Sequence, residues 1–222
     1  MNRPPHRKLM DVHGSPTTSG RPPSGSATRQ LGRRIHLIGN SCSGKSTLGA
    51  RLAAALYAPF VELDALNWQP GWVGLNKHEP AELERRISEA TSGDAWVVAG
   101  SYLRFCQATF WSRLETVIWL DLPMYLLVGR MLRRSWRRWR TRELLWGTNR
   151  ESFWPHLMVW RGEDSLLWWI VTQHERKRRQ MRELMGDPRW AHIRFVRLAS
   201  VAEIERFSRE LGYEPVAGRS VG

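Results

Sequence analysis

Residues 35–47 read IHLIGNSCSGKST, and this stretch decides the fold. From Gly39 to Ser46 it follows the pattern GxxxxGK[ST], with an apolar strand-like run before it and the helix-favouring run LGARLAAALY after it. In this pattern glycines let backbone N–H groups turn toward phosphate oxygens, and the next helix adds the positive end of its dipole. The sequence therefore predicts a phosphate-binding loop between a strand and a helix.

The loop predicts a site for a nucleoside triphosphate, taken to be ATP, with magnesium. Lys45 is expected to pair with the β- and γ-phosphates as a catalytic group, and the Ser46 hydroxyl is expected to coordinate Mg²⁺. A glycine-rich turn that binds no nucleotide is the alternative interpretation. The predicted nucleotide contacts are Gly39, Asn40, Ser41, Cys42, Ser43, Gly44, Lys45, Ser46 and Thr47.

Beyond the loop, short apolar runs alternate with longer amphipathic stretches, which predicts β-α-β units around a parallel sheet. The expected strands are residues 35–38, 60–63, 96–99, 117–120 and 193–198. The expected helices are residues 45–56, 80–90, 124–139, 166–185 and 201–211. The predicted fold class is α/β, with a doubly wound, five-stranded parallel sheet in three layers.

Length and composition limit the domain organisation. Residues 1–30 are rich in Pro, Ser, Gly and Arg and predict a disordered basic tail, whereas residues 31–222 predict one domain. The apolar runs are too short to span a bilayer, so no membrane partner is expected. The two cysteines lack the paired spacing of a disulfide framework or zinc site, which favours a reducing cytoplasm. A monomer or weak dimer is expected.

The formal net charge of +13 implies anionic partners. Phosphorylated small molecules, nucleic acid and anionic membranes all satisfy this condition. Charge alone does not choose among them, and nucleic acid therefore stays open as a partner.

Two carboxylates stand at the expected carboxyl end of the second strand. Open α/β sheets place their ligand-binding groups at this edge. If the strand continues through both positions, Glu62 and Asp64 face the same side and reach magnesium or an acceptor hydroxyl. Asp64 is the better candidate for a catalytic base or metal ligand, because it lies nearer the loop. A solvated strand end is the alternative.

The third and fourth strands end in further candidates. Gly100 follows the third strand, where the chain is expected to pass close to a bound acceptor, and Tyr102 and Arg104 come next as substrate-binding candidates. The fourth strand ends at Asp121, an apolar run followed by an acid, and this pattern predicts a magnesium role direct or through water.

A run of arginines follows Asp121. Seven of them fall between residues 130 and 142 with no acid among them, and four share one helical face. This density favours a phosphate-clamping lid within residues 130–163, with Arg130 and Arg134 as catalytic candidates. A solvated basic helix face is the alternative. The arginines of the face are Arg130, Arg133, Arg134 and Arg137.

A second basic patch covers residues 176–179 together with Arg182. It falls near the end of an expected helix. We interpret it as a solvated helix end, with nucleic-acid binding as the alternative.

Four segments in order resemble a known family: HLIGNSCSGKSTL, VELDALNWQPGW, WVVAGSY, and VIWLDLP followed by an arginine-rich helix. Together they are similar to the adenylate-kinase-like P-loop proteins often named DNA topology modulation proteins, over roughly residues 34–211. The resemblance extends to shikimate and nucleoside monophosphate kinases. It implies strand order 2-3-1-4-5 and an arginine-bearing lid. Glu62 stands where shikimate kinases have Asp, and the triple glycine of those enzymes is absent after the third strand.

The function expected from these residues is ATP-dependent phosphoryl transfer to a small acceptor, such as a nucleoside, a nucleotide or another metabolite. A nucleoside triphosphatase without an acceptor is one alternative. A nucleotide-regulated DNA-binding protein is another, motivated by the net charge and by the name of the related group.

Overall fold

The computed structural model describes residues 31–141, 144–145, 149–150 and 166–211, with side chains for 31–141 and 172–211. The predicted tail at residues 1–30 lies outside this part of the chain. Most of the predicted lid beyond residue 141 lies outside it too.

A five-stranded parallel sheet forms the centre of the described chain. Its strands stand in the order β2-β3-β1-β4-β5, and each neighbouring pair runs parallel. This is the order 2-3-1-4-5 implied by the resemblance, and it is confirmed. The strands are β1 (Arg34–Gly39), β2 (Phe60–Glu62), β3 (Trp96–Ala99), β4 (Thr116–Leu120) and β5 (Arg194–Leu198).

Helices connect these strands on both faces of the sheet. The helices are α1 (Lys45–Leu56), α2 (Leu63–Asn67), α3 (Leu75–His78), α4 (Pro80–Ala90), α5 (Leu103–Thr109), α6 (Met124–Thr141), α7 (Leu166–Met185) and α8 (Val201–Glu210). Single 3₁₀ turns occupy Pro70–Trp72, Trp111–Arg113 and Pro188–Trp190. Two short antiparallel hairpins pair Trp68–Gln69 with Val73–Gly74 and Leu144–Leu145 with Asn149–Arg150.

Side chains that alternate along the strands build two cores, one on each face of the sheet. In β1, Ile35 and Leu37 pack with Leu52 of α1. On the opposite face, Val98 and Val117 pack with side chains of α4, α5 and α7. The period of two in the strands therefore separates the helices into two outer layers. Each fully buried Leu or Val contributes about 1.5–3 kcal/mol to this packing.

The second strand ends earlier than predicted. Its ladder with β3 stops at the pair Glu62 and Ala99, and the chain then turns into α2. Asp64 consequently lies in the first turn of a helix. The prediction that Glu62 and Asp64 share one side of an extended strand is wrong, because the partner strand offers no further backbone groups beyond Ala99.

None of the helices in the described part of the chain combines the length and the apolar character that a membrane span requires.

Candidate active site

The phosphate loop (residues 39–47) leaves β1 at Gly39 and enters α1 at Lys45. Gly44 caps α1 with φ of 94°, a left-handed conformation that glycine adopts without steric cost, and no side chain caps the first amides of the helix. These amides and the helix dipole are therefore directed at the loop, as phosphate binding requires. The loop geometry is compatible with phosphate binding.

Ser46 and Glu62 form a direct hydrogen bond across the loop. The Ser46 hydroxyl donates to Glu62 Oε1 over 2.5 Å. Glu62 is thus the carboxylate that touches the hydroxyl expected to bind magnesium, a place that the sequence had suggested for Asp64. A hydroxyl and a carboxylate side by side are oxygen ligands of the kind that Mg²⁺ prefers.

Asp64 takes a different partner. The Tyr102 hydroxyl donates to Asp64 Oδ1 over 2.9 Å, which joins the first turn of α2 to the start of α5. Burial, followed by the charge of Asp64, raises the pKa of Tyr102 well above its usual value. Tyr102 therefore remains a neutral donor that fixes the orientation of the Asp64 carboxylate.

Gly100 owes its place to packing. A Cβ atom at this position would lie 2.6 Å from the Cβ of Leu63, so only glycine fits beside α2. The structure shows the close approach of Leu63, and the predicted approach to a bound acceptor stays a prediction.

A buried histidine in β1, His36, contacts the backbone at Gly100. Its Nε2 lies 3.1 Å from the Gly100 carbonyl oxygen, and Trp111 Nε1 donates to its Nδ1 over 3.2 Å. This arrangement assigns the proton to Nε2. Burial lowers the pKa of His36 to about 3, against its ordinary value of 6.5. The residue after Gly100 is Ser101, and its hydroxyl donates to the Gly39 carbonyl. This bond connects the end of β3 to the phosphate loop.

Asp121 is buried, and two arginines occupy its carboxylate. Arg178 of α7 donates from Nε to Oδ1 over 2.7 Å, and Arg197 of β5 donates from Nε to Oδ2 over 2.9 Å. The Asp121 pairing raises the pKa of Arg178 above its ordinary value. Asp121 thus joins β4, α7 and β5. The structure gives it this ion-pair role, and its predicted magnesium role stays a prediction.

Helix α7 also brings Lys177 to the phosphate loop. Burial and the charge of Lys45 lower the pKa of Lys177 to about 8, whereas the charge of Asp64 raises it. The ammonium group therefore lies within electrostatic reach of both residues. For Lys177 and Arg178 the interpretation as a solvated helix end is wrong, whereas Arg176, Arg179 and Arg182 are exposed.

The arginines of α6 divide by exposure. Arg130 donates from Nη1 to the Ser43 carbonyl over 3.2 Å, so this side chain reaches the phosphate loop. Arg134, one turn further, is half-buried, and Arg133 and Arg137 are exposed. Arg104 is exposed as well, and its guanidinium lies 5.6 Å from the ring centroid of its neighbour Phe105.

A pocket of about 440 Å³, part of it open to solvent, connects several of these groups. Gly39 and Asn40 of the phosphate loop, Ser101 and Asp121 line one side, and Lys177 with other residues of α7 lines the other. Among the described residues, no cluster of three or more His, Cys, Asp or Glu side chains could hold a metal by itself. A magnesium ion here would accordingly share Ser46 and Glu62 with phosphate oxygens.

No protein-family model matches the chain. It is similar to a shikimate kinase of Synechococcus sp. (strain JA-3-3Ab), with 34% identity over 122 residues, and this match covers 50% of the chain and 65% of that protein. The chain thus spans a little under two thirds of this relative's length.

Two solved structures are similar over most of their length. One is a gluconokinase from Sinorhizobium meliloti 1021, with 20% identity, a TM-score of 0.45, and coverage of 82% of this chain and 90% of the other. The other is a shikimate kinase from Acinetobacter baumannii in complex with shikimate, with 19% identity, a TM-score of 0.45, and coverage of 81% and 91%.

Proposed function

We propose that this chain transfers the γ-phosphoryl group of ATP to a hydroxyl group of a small acceptor molecule. One observation carries the proposal: a carboxylate held by a tyrosine, Asp64 with Tyr102, lies two residues after Glu62, which binds Ser46 of the phosphate loop. A triphosphate-binding loop alone explains nucleotide binding. An oriented carboxylate so close in sequence to a group that binds the loop supplies what transfer to a hydroxyl also needs.

The nucleotide is held by the phosphate loop in this proposal. Backbone amides of the loop and the Lys45 ammonium bind the β- and γ-phosphates, and the Ser46 hydroxyl binds magnesium with Glu62 beside it. When bound, magnesium neutralises charge on the phosphates. Asp64 and Asp121 remain further candidates for the metal, although Asp121 would have to exchange an arginine for it.

The transfer itself uses Asp64 as the general base. The acceptor hydroxyl passes its proton to the Asp64 carboxylate while its oxygen forms a bond to the γ-phosphorus. The bond from this phosphorus to the β–γ bridging oxygen breaks, and ADP leaves with the electron pair. Arg130, which already contacts the loop, and Arg134 offset the charge that develops on the phosphoryl oxygens.

The acceptor is expected to lie along α2 and the start of α5. Glu62, Asp64, Gly100, Tyr102 and Arg104 are the proposed substrate-binding residues. Of these, Tyr102 orients Asp64 and Gly100 makes room for Leu63. The similarity to a shikimate kinase supports a small acceptor that carries a hydroxyl group. Nucleosides, nucleotides and hydroxylated metabolites all satisfy this description.

A nucleotide-regulated DNA-binding protein remains the second candidate. The exposed arginines of α6 favour it, since a basic helix face with no acid in it attracts phosphate backbones. The resemblance to DNA topology modulation proteins points the same way. Duplex binding with a Kd below about micromolar that changes with ATP would favour this candidate, whereas weak binding lost with salt is expected of any basic chain.

The deciding experiment is a coupled assay of ADP release over a panel of nucleosides, nucleotides and hydroxylated metabolites. A reaction without acceptor and the Lys45→Ala variant serve as controls. We expect release that requires an acceptor and Lys45. Equal release without any acceptor would instead identify a nucleoside triphosphatase.

A further inference from the structure

Lysine is rare in this chain. Thirty of the 34 basic side chains are arginines, and the four lysines are Lys8, Lys45, Lys77 and Lys177. Lys45 lies in the phosphate loop, and Lys177 lines the pocket beside it from α7. A compact ammonium group, unlike the broad guanidinium fork, fits beside a single phosphoryl oxygen as a point charge.

The pocket that Lys177 lines is also lined by Gly39 and Asn40 of the phosphate loop. Lys177 is half-buried, and the charges of Lys45 and Asp64 both act on its ammonium group. The like charges of Lys45 and Lys177 repel each other, so a bound anion close to both would stabilise this arrangement. A pocket lined by the phosphate loop and by Lys177 is therefore a suitable place for an anionic phosphoryl group.

The position of Lys177 is held from the next residue. Arg178 is bound to the buried Asp121 carboxylate, which Arg197 of β5 also binds. Since these bonds fix α7 against the end of β4, they also fix the side of the helix that meets the phosphate loop. Asp121 and its two arginines therefore fix the position of α7.

We propose that Lys177 is a second phosphoryl-binding lysine, which contacts the γ-phosphoryl group together with Lys45 during transfer. Asp121 is a positioning residue that acts through Arg178. This inference rests on the proposed function, because it names a further residue for the same reaction.

Chemical labelling tests the contact without a known acceptor. The protein is treated with a small amine-reactive reagent, with and without a nonhydrolysable Mg-ATP analogue at about 100 times its Kd, and the labelling rate of each lysine is measured by peptide mass spectrometry. We expect the analogue to slow labelling of Lys45 and Lys177 by about tenfold or more, since almost no site is then empty. The exposed Lys77 is the internal control and keeps its rate.

The outcomes distinguish failure of the inference about Lys177 from failure of the proposed function. Protection of Lys45 without protection of Lys177, or a Lys177 that never reacts, overturns the inference and leaves the proposed function standing. Absence of protection at both lysines overturns the phosphate site and everything built on it.

Variants test the role in transfer. Lys177→Met is expected to lower kcat by roughly 10²–10³, the effect of removing one preorganised charge from a transition state, with a much smaller change in the Kd of Mg-ATP. Lys177→Arg should recover part of the rate. Arg179→Met is the matched control, because it removes one exposed positive charge two residues away on the same helix. Equal kcat values for Lys177→Met and Arg179→Met would overturn the proposal.

The positioning role has its own readout. Asp121→Asn is expected to weaken the analogue's protection of Lys177 severalfold while Lys45 stays protected. Asp187→Asn removes a carboxylate that is paired with the exposed Arg189, and it is the control for loss of an acid. Unchanged protection of Lys177 in Asp121→Asn, in a variant whose circular dichroism matches the parent, would remove Asp121 from the proposal.

Discussion

The buried His36 predicts a specific dependence of stability on pH. Its pKa is about 3 in the folded chain, whereas its ordinary value is 6.5, so the unfolded chain binds a proton between these pH values that the folded chain refuses. The free energy of unfolding contributed by this group is therefore fully present above pH 6.5 and is lost progressively as the pH falls toward 3. Each pH unit within that window corresponds to about 1.4 kcal/mol.

The magnitude between two accessible pH values follows directly. Between pH 7 and pH 5, protonation of this histidine stabilises the unfolded chain by about 2 kcal/mol. The interval from pH 7 to 6.5 contributes little, because the unfolded histidine is still mostly neutral there. His36→Gln keeps a donor for the Gly100 carbonyl and removes the titrating ring. The variant should be less stable than the parent at pH 7, because it loses the bond from Trp111 and part of the packing. This deficit should shrink by about 2 kcal/mol at pH 5.

The assay is urea denaturation followed by tryptophan fluorescence at pH 7, 6 and 5. Only the difference in the free energy of unfolding between parent and variant is interpreted. The contributions of the other titrating groups, which the two chains share, therefore cancel. His78→Gln makes the same exchange at an exposed histidine and serves as the matched control. Parallel stability curves for His36→Gln and the parent would refute the assignment of a neutral, buried His36.

The remaining predictions concern the site. Lys45→Ala should keep the fold and lose most affinity for Mg-ATP, because this lysine binds charge rather than core; calorimetric titration with an unchanged Kd would contradict it. Asp64→Asn should lower kcat by about a hundredfold with little change in ATP affinity. Glu62→Gln should instead raise the magnesium concentration needed for the half-maximal rate, since the Glu62 carboxylate touches Ser46. Kinetics at varied magnesium separates the two effects, and identical magnesium profiles for the two variants would contradict the assignment. Cys42 should react with iodoacetamide before Cys106, whose thiol is fully buried with a raised pKa; saturating Mg-ATP should slow only Cys42, and preferential modification of Cys106 would be the contrary result.

The elements that sequence predicted well are those with their own local signal. Helices α1, α4 and α7 begin and end at the predicted residues, because each follows a loop signature, a proline at its first position or a long amphipathic period. Helix α2 was missed. Five residues are too few to show a helical period, so Leu63 was assigned to the strand and Asp64 to its end.

The missed features of the site depend on partners far along the chain. Asp121 at the end of an apolar strand matches a metal-binding pattern, but its arginine partners come 57 and 76 residues later. Lys177 and Arg178 lie in a run of basic residues, and the sequence does not distinguish these two pocket-lining side chains from their exposed neighbours. Such pairings are set by the packing of α7 and β5 against the sheet, which no local spacing encodes.

The distance along the chain between Asp121 and its partners also sets an order of events during synthesis. The phosphate loop and both of its flanking elements are made before Asp121, whereas Arg197 follows Asp121 by 76 residues. Until β5 emerges and pairs with β4, the Asp121 carboxylate lacks one of the two charges that compensate for its burial, and α7 has no complete anchor. Strand β5, which is far from the phosphate loop in sequence, therefore supplies the last partner of Asp121.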